Sequence, residues 1–128
     1  MNILFILLLM IFLHILDDFV LQAPCLSNLK QQKFWQENAP DKKYKYDYVW
    51  ALIVHSFSWS FMIMLPIAFM QNFHIDALFL VIFIFNVVIH AAVDNWKANK
   101  LAINLWVDQC IHILQIIVTL ILCSLGGF

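Results

Sequence analysis

The chain has 128 residues and a mass of 15.0 kDa, the size of one domain, and 64% of it is hydrophobic. Soluble globular proteins have roughly 45–50% apolar residues, and the charged fraction of 12% is about half the usual share. The composition excludes a soluble, disordered or collagen-like chain, and three cysteines at unpatterned spacings predict neither a disulfide framework nor a metal knuckle. The net charge of -1 shows no single-sign field, so no nucleic-acid partner is expected.

Four apolar runs follow one another along the chain, at about residues 3–21, 48–70, 75–95 and 103–125. Each is close to the roughly 20 residues that cross a bilayer core as a helix. The chain is therefore predicted to be all-α, a four-transmembrane-helix bundle forming one integral-membrane domain. The first run has no Lys or Arg before it and no cleavage site after it, which favours a retained span over a removable signal peptide.

All seven basic residues are Lys, and they lie in the connection between the first two runs or at the one between the last two. Four crossings place these two connections on one side of the membrane and both termini on the other. The positive-inside rule predicts that the Lys-rich loops are cytoplasmic and that both termini lie outside. The expected localisation is the cell membrane, as a multi-pass protein.

The long first connection, residues 22–47, is polar but carries spaced apolar residues. Leu26, Leu29 and Phe34 can share one helical face, and Trp35 follows them. This pattern predicts a short interfacial helix. A solvated linker stays open as the alternative for the last part of the connection.

Polar residues inside the apolar runs repeat in type and spacing. Each run contributes one His, and three of these four His are four residues from an Asp. Side chains at i and i+4 share a helix face, with Cβ atoms about 5–6 Å apart, so one helix can offer two ligands to one ion. An α-helix rises about 1.5 Å per residue, so the position of each His and Asp in its run gives its depth in the membrane. All of these residues are predicted to lie in one layer roughly 5–13 Å below the Lys-rich surface. The seven predicted metal ligands are His14, Asp18, His55, His90, Asp94, Asp108 and His112.

Three Asp side chains in hydrocarbon need compensation. Each costs about 2.5–3.5 kcal/mol on insertion scales, so the three together cost roughly 8–10 kcal/mol. Because no Lys or Arg lies within the runs, we expect protonation, imidazolium or a bound cation to balance them. Mixed imidazole and carboxylate ligands suit a divalent transition metal, zinc first and Mn²⁺ or Fe²⁺ as alternatives. Seven ligands exceed what one zinc takes, so one or two ions are predicted.

Two metal-free or metal-different explanations compete with this one. The His and Asp pairs could tie the helices together as a polar or proton-relay network. Opposed His could also ligate haem, although a crowd of acids counts against haem. Nearby polar side chains are expected to support the ligands, namely Asp17, Gln22, Asp47, Asn86, Gln109 and Gln115.

An ordered set of motifs resembles a known family. HILDDFVLQ at residues 14–22, YDY at 46–48, HAAVD at 90–94 and DQCIH at 108–112 resemble the small bacterial and phage membrane proteins grouped as domain of unknown function 3307. The resemblance covers nearly the whole chain and implies an integral membrane protein, without implying an activity. The His and Asp layout is more distantly similar to YdjM-type membrane-bound metal-dependent hydrolases, which implies that the same seven residues are ligands.

These observations lead to two hypotheses of function. In the first, the protein is a metal-dependent hydrolase in which a metal-bound water attacks the substrate, Asp17 acts as the base, and residues 26–35 form a lid. The chain has no extended soluble cleft, which favours a lipid or small phosphoester substrate. In the second, it is a non-enzymatic small transporter or phage accessory subunit whose cluster relays protons or ions. A homo-oligomer is possible in both.

Overall fold

The computed structural model describes residues 2–22 and 24–126. Over these residues the chain forms six α-helices and no strand, which confirms the predicted all-α fold. The helices are α1 (Ile3–Ile15), α2 (Pro24–Leu29), α3 (Gln32–Asn38), α4 (Asp47–Met70), α5 (Ala77–Ala98) and α6 (Leu105–Leu125). A π-helical turn, Leu16–Leu21, continues α1, and a short 3₁₀ turn, Lys42–Tyr44, precedes α4.

Four of these helices are long and apolar enough to cross a membrane: α1 together with its π-helical turn, α4, α5 and α6. Their bounds lie within three residues of the predicted runs. Side-chain caps fix where two of them begin, because Asp76 Oδ1 accepts from the backbone N–H of Phe79 at 2.7 Å and Asn104 Oδ1 accepts from that of Val107 at 3.0 Å. Consecutive left-handed residues, Asn72 and Phe73, make the tight turn between α4 and α5.

The four long helices form a bundle in which α4 packs between α1 and α5, and α6 packs against α5 and α1. The apolar core occupies the half of the bundle nearer the α4–α5 turn, with Ile6, Ile63, Ile67 and Leu120 among its buried side chains. Many large apolar side chains point outward from the bundle, Phe12, Phe57 and Val88 for example. A continuous apolar exterior is what a bilayer-embedded bundle requires.

The long first connection folds as two short helices, α2 and α3, where the sequence predicted one. Asn99, just after α5, holds their junction: its Oδ1 accepts from Gln32 N at 2.7 Å, and its Nδ2 donates to Lys30 O at 3.0 Å. Trp35 Nε1 also donates to Leu29 O at 2.8 Å. The segment is thus tied to the end of the bundle where the α1–α4 and α5–α6 connections lie, called the Lys-bearing end below.

Candidate metal centre

The four membrane helices bring one His each to a single buried layer. The ring centroids of His90 and His112 are 4.2 Å apart, those of His55 and His90 are 5.0 Å apart, and those of His14 and His112 are 5.8 Å apart. Each of the four rings is at most 2% exposed. Imidazoles on different helices therefore meet in the bundle interior, where no lipid or bulk water reaches them.

The Asp partners predicted from the i, i+4 spacing line the same layer. Asp18 Oδ1 lies 3.3 Å from His55 Nε2, and Asp94 Oδ1 lies 3.5 Å from His112 Nε2. Asp108 Oδ1 is 3.3 Å from His112 Nε2. All seven predicted residues thus belong to one continuous cluster.

Within this cluster, two overlapping groups are arranged so that they could hold a metal ion. In each group the ligand atoms all lie within 4.8 Å of one another, and the two groups share His90. The first group is Asp18, His55 and His90, and the second is His90, Asp94 and His112. The geometry therefore offers three ligands from three helices in the first group and three from two helices in the second.

Several ligand atoms in the layer have no hydrogen-bond partner among residues 2–22 and 24–126. Both ring nitrogens of His90 and of His112 are in this state, as are Asp18 Oδ1 and Asp108 Oδ1. A buried polar atom left unpaired costs about 1–3 kcal/mol. A bound cation would satisfy one nitrogen of each ring and the carboxylate oxygens, so the donor set fits a metal site.

His14 differs from the other three His residues, because both of its ring nitrogens already have partners. Its Nδ1 accepts from Trp59 Nε1 at 2.7 Å, which leaves the proton on Nε2, and Nε2 lies 3.1 Å from Gln109 Oε1. His14 belongs to neither metal-capable group. It therefore supports the neighbouring rings in this arrangement.

The π-helical turn explains how two adjacent acids face the same cluster. The turn closes with the Gln22 N–H donating to Asp17 O at 2.9 Å, an i to i−5 bond that widens the helix. Asp17, the predicted base, accepts from Ser58 Oγ at 2.6 Å through Oδ1, and its Oδ2 lies 3.6 Å from His55 Nδ1. Asp17 and Asp18 thus hold the two nitrogens of His55 between them.

The expectation that no ammonium balances the acids is wrong. Helix α5 continues to Ala98 and so includes Lys97, whose Nζ donates to Asp108 Oδ2 at 2.6 Å. Lys30, at the α2–α3 junction, reaches into the layer and donates to Asp94 Oδ2 at 2.5 Å. Sequence reasoning missed both because it placed them in polar connections and did not consider the reach of their side chains.

These two ion pairs change the charge of the cluster. Four carboxylates face two ammonium groups, which leaves two negative charges when the imidazoles are neutral. One divalent cation carries the charge that balances them. The four carboxylates are those of Asp17, Asp18, Asp94 and Asp108.

The residues predicted to support the ligands lie at different depths of the bundle. Gln109 lies in the layer, and its Nε2 is 3.5 Å from Asp18 Oδ2 and 3.1 Å from Asp108 Oδ2. Gln22, with its amide oxygen turned toward the cluster, accepts from Lys30 Nζ at 2.6 Å. Asp47 was wrongly placed near the site, because it begins α4 about 12 Å along the axis from the imidazole-bearing turn.

Two more of the predicted supporting residues, Asn86 and Gln115, lie in a separate polar layer one turn deeper. Asn86 Oδ1 accepts from Gln115 Nε2 at 2.8 Å and from Thr119 Oγ1 at 3.0 Å. Asn86 Nδ2 makes a weak contact with Met64 Sδ at 3.6 Å. These buried bonds link α5 to α6 and α4 beneath the His layer.

Compared with protein-family models, curated proteins and solved structures, the chain matches none of them.

Proposed function

We propose that this protein is a membrane-embedded metalloenzyme that hydrolyses a lipid or small phosphoester at the His and Asp layer. The observation that carries the proposal is the pair of metal-capable groups sharing His90, in which both nitrogens of His90 and His112 lack hydrogen-bond partners within the described chain. The proposed ligands are Asp18, His55, His90, Asp94 and His112. His14 and Asp108, also predicted as ligands, would hold these side chains in place.

The donor set favours zinc, with Mn²⁺ and Fe²⁺ as alternatives, because imidazole and carboxylate together suit these ions better than Mg²⁺ or Ca²⁺. Charge favours one divalent ion, which neutralises the two uncompensated carboxylates. A second ion in the other group would need further negative charge, which hydroxide or an anionic substrate supplies. The centre is therefore proposed to hold one ion, because the two groups share His90 and a neutral imidazole offers one lone pair.

Asp18, His55, His90, Asp94 and His112 would hold the ion, which when bound would supply Lewis-acid activation of water and substrate. Asp17 is the proposed base. Its Oδ2 is buried, has no hydrogen-bond partner among the described residues, and lies on the side of His55 opposite Asp18. Ser58 holds the other carboxylate oxygen, which leaves Oδ2 free to accept a proton.

The surroundings of the centre support a membrane lipid as substrate. The centre is most exposed toward the Lys-bearing end, where the Lys97 side chain is 38% exposed. A groove of about 390 Å³ lies between α2, α3 and α4, and it reaches Val54, the neighbour of His55. Leucine and tryptophan side chains make up much of its lining, including Leu26, Leu29 and Trp50. An acyl chain in this groove would lie along α4, beside the turn that carries His55.

One observation favours a second function, transfer of protons or ions across the membrane. The layer of Asn86, Gln115 and Thr119 extends the polar interior beyond the His residues. Beyond that layer the core is apolar, with Ile63, Ile67 and others closing the bundle. A single copy therefore offers a polar path through only part of its depth, and we prefer the hydrolase.

The orientation proposed from the Lys distribution puts the centre near the cytoplasmic face of a cell membrane, with both termini outside. The motif resemblances to the domain of unknown function 3307 and to YdjM-type hydrolases support a bacterial or phage membrane protein with a His and Asp metal site.

Elemental analysis of the detergent-purified protein tests the proposal. The wild-type chain should contain at least one zinc or manganese ion per chain, and H90A/D94A should contain none while keeping its helical content. H74A is the matched control, because His74 is exposed in the α4–α5 turn and far from the layer. Wild-type protein that is metal-free after purification in the presence of zinc would refute the metal centre. Flux of H⁺ or Zn²⁺ in proteoliposomes without hydrolysis of phosphoesters would favour the second function.

A further inference from the structure

Lys30 occupies an unusual position for a lysine. It is 8% exposed, although it lies at the α2–α3 junction of the long first connection, outside the four membrane helices. Burying an ammonium group is costly unless it is paired and hydrogen-bonded. Asp94 Oδ2 at 2.5 Å supplies the charged partner, and the Gln22 amide, when turned with its oxygen toward Lys30, adds an acceptor at 2.6 Å.

The two oxygens of the Asp94 carboxylate face different groups. Oδ2 accepts from Lys30 and lies 3.5 Å from His55 Nε2, whereas Oδ1 lies 3.5 Å from His112 Nε2 and 3.7 Å from His90 Nε2. Lys30 therefore binds the oxygen that points away from these two rings. It leaves Oδ1 free to complete the group of His90, Asp94 and His112.

Asn99 fixes the backbone that carries Lys30. Its side-chain amide bonds Lys30 O and Gln32 N on the two sides of the α2–α3 junction, and its Nδ2 also donates to Asn95 Oδ1 at 2.9 Å. Asn99 lies five residues after Asp94 and directly follows α5. The same helix thus supplies a proposed ligand and the residue that aims an ammonium group at that ligand.

We infer that Lys30 is a positioning residue for the metal centre, held in place by Asn99, and that it orients Asp94 so that Oδ1 faces the metal. This inference rests on the proposed metal site. Carboxylate ligands in metalloproteins are themselves hydrogen-bonded, and loss of such a partner typically weakens metal binding 10–100-fold.

Zinc affinity of the detergent-purified full chain, measured by competition with a chromophoric chelator, tests the inference. K30M should weaken zinc binding about 10–100-fold, and K30R should recover most of the loss because guanidinium also donates to a carboxylate. K33M is the matched control, because Lys33 lies on α3 and its side chain is 76% exposed. The K33M protein should bind zinc as tightly as wild type. N99A should weaken binding by a smaller factor, since Lys30 and Asp94 both remain.

Cobalt spectra separate positioning from a loss of overall structure. The Co²⁺ absorption bands of K30M should shift relative to wild type, because the Asp94 ligand is reoriented, whereas those of K33M should not.

If K30M binds zinc as tightly as wild type, or more tightly, Lys30 does not position the ligand and the inference is wrong. If wild type itself binds no zinc, the metal centre fails and the inference fails with it. If K30M does not fold, the zinc affinities of N99A and K30R test the inference instead. The inference is also wrong if N99A binds zinc as tightly as wild type and K30R binds it more weakly.

Discussion

The indole N–H of Trp59 donates to Nδ1 of His14 at 2.7 Å, and the same indole stacks on His90 with the ring centroids 4.2 Å apart. Trp59 is fully buried and lies four residues after His55, on the same face of α4. It therefore separates the His layer from the apolar core. The i, i+4 relation to a predicted ligand was visible in the sequence, but an aromatic residue in an apolar run gives no sign that it bonds an imidazole.

Replacing Trp59 with Phe removes the hydrogen bond to His14 while keeping an aromatic ring beside His90. We expect a loss of about 1–3 kcal/mol in the free energy of unfolding, because a buried acceptor loses its donor, and the smaller ring adds a further loss through the cavity it leaves. Denaturation of the protein in mixed detergent micelles measures this change. F57L is the control, since Phe57 is 54% exposed on the bundle exterior. Equal losses in the two variants would show that the hydrogen bond contributes nothing measurable.

Lys97 is expected to stabilise the fold by compensating Asp108, which is fully buried. K97M should lower the free energy of unfolding by about 1–3 kcal/mol, less than the 3–5 kcal/mol of a fully buried pair because Lys97 is partly solvated. The double variant K97M/D108N should recover part of this loss, because it removes the uncompensated charge. K100M, outside the membrane helices, should have no effect. A double variant less stable than K97M alone would contradict the charge argument.

Hydropathy and the repeated His and Asp spacing were sufficient to predict the four membrane helices and which residues would meet. The prediction worked because the spacing of two residues on a helix determines whether their side chains point in the same direction. The position of a residue within a membrane-spanning run likewise determines its depth in the membrane. Three features were beyond it for physical reasons. The π-helical turn that brings Asp17 inward depends on backbone geometry with no sequence periodicity, Lys30 reaches Asp94 only through tertiary packing, and the α5 end at Ala98 is a helix boundary.

The layer of Asn86, Gln115 and Thr119 should stabilise the bundle without affecting metal binding. N86L removes the acceptor of Thr119 Oγ1 and one of the two acceptors of Gln115 Nε2, which keeps its 3.0 Å bond to the backbone oxygen of residue 86. Interhelical hydrogen bonds in membranes contribute about 0.6 kcal/mol on average and up to about 1.7 kcal/mol. We expect a loss in that range by denaturant unfolding, with an unchanged zinc content. V88L, at a position 59% exposed on the outer face of the same helix, is the control. Loss of zinc from N86L at full helical content would mean that the two polar layers act as one site.

Asp17 and Ser58 offer the sharpest separation of catalysis from metal binding. D17N keeps the size of the side chain and an oxygen that accepts from Ser58, but it removes the carboxylate that faces His55. If Asp17 is the base, hydrolysis of a lipid or phosphoester substrate should fall 10²–10⁴-fold in D17N. The zinc content should stay at the wild-type value, because Asp17 belongs to neither metal-capable group. S58A is the matched variant: it removes one hydrogen bond to Asp17, keeps the carboxylate, and should lose far less activity. Full activity in D17N would exclude Asp17 as the base, and loss of zinc in D17N would make it a ligand instead.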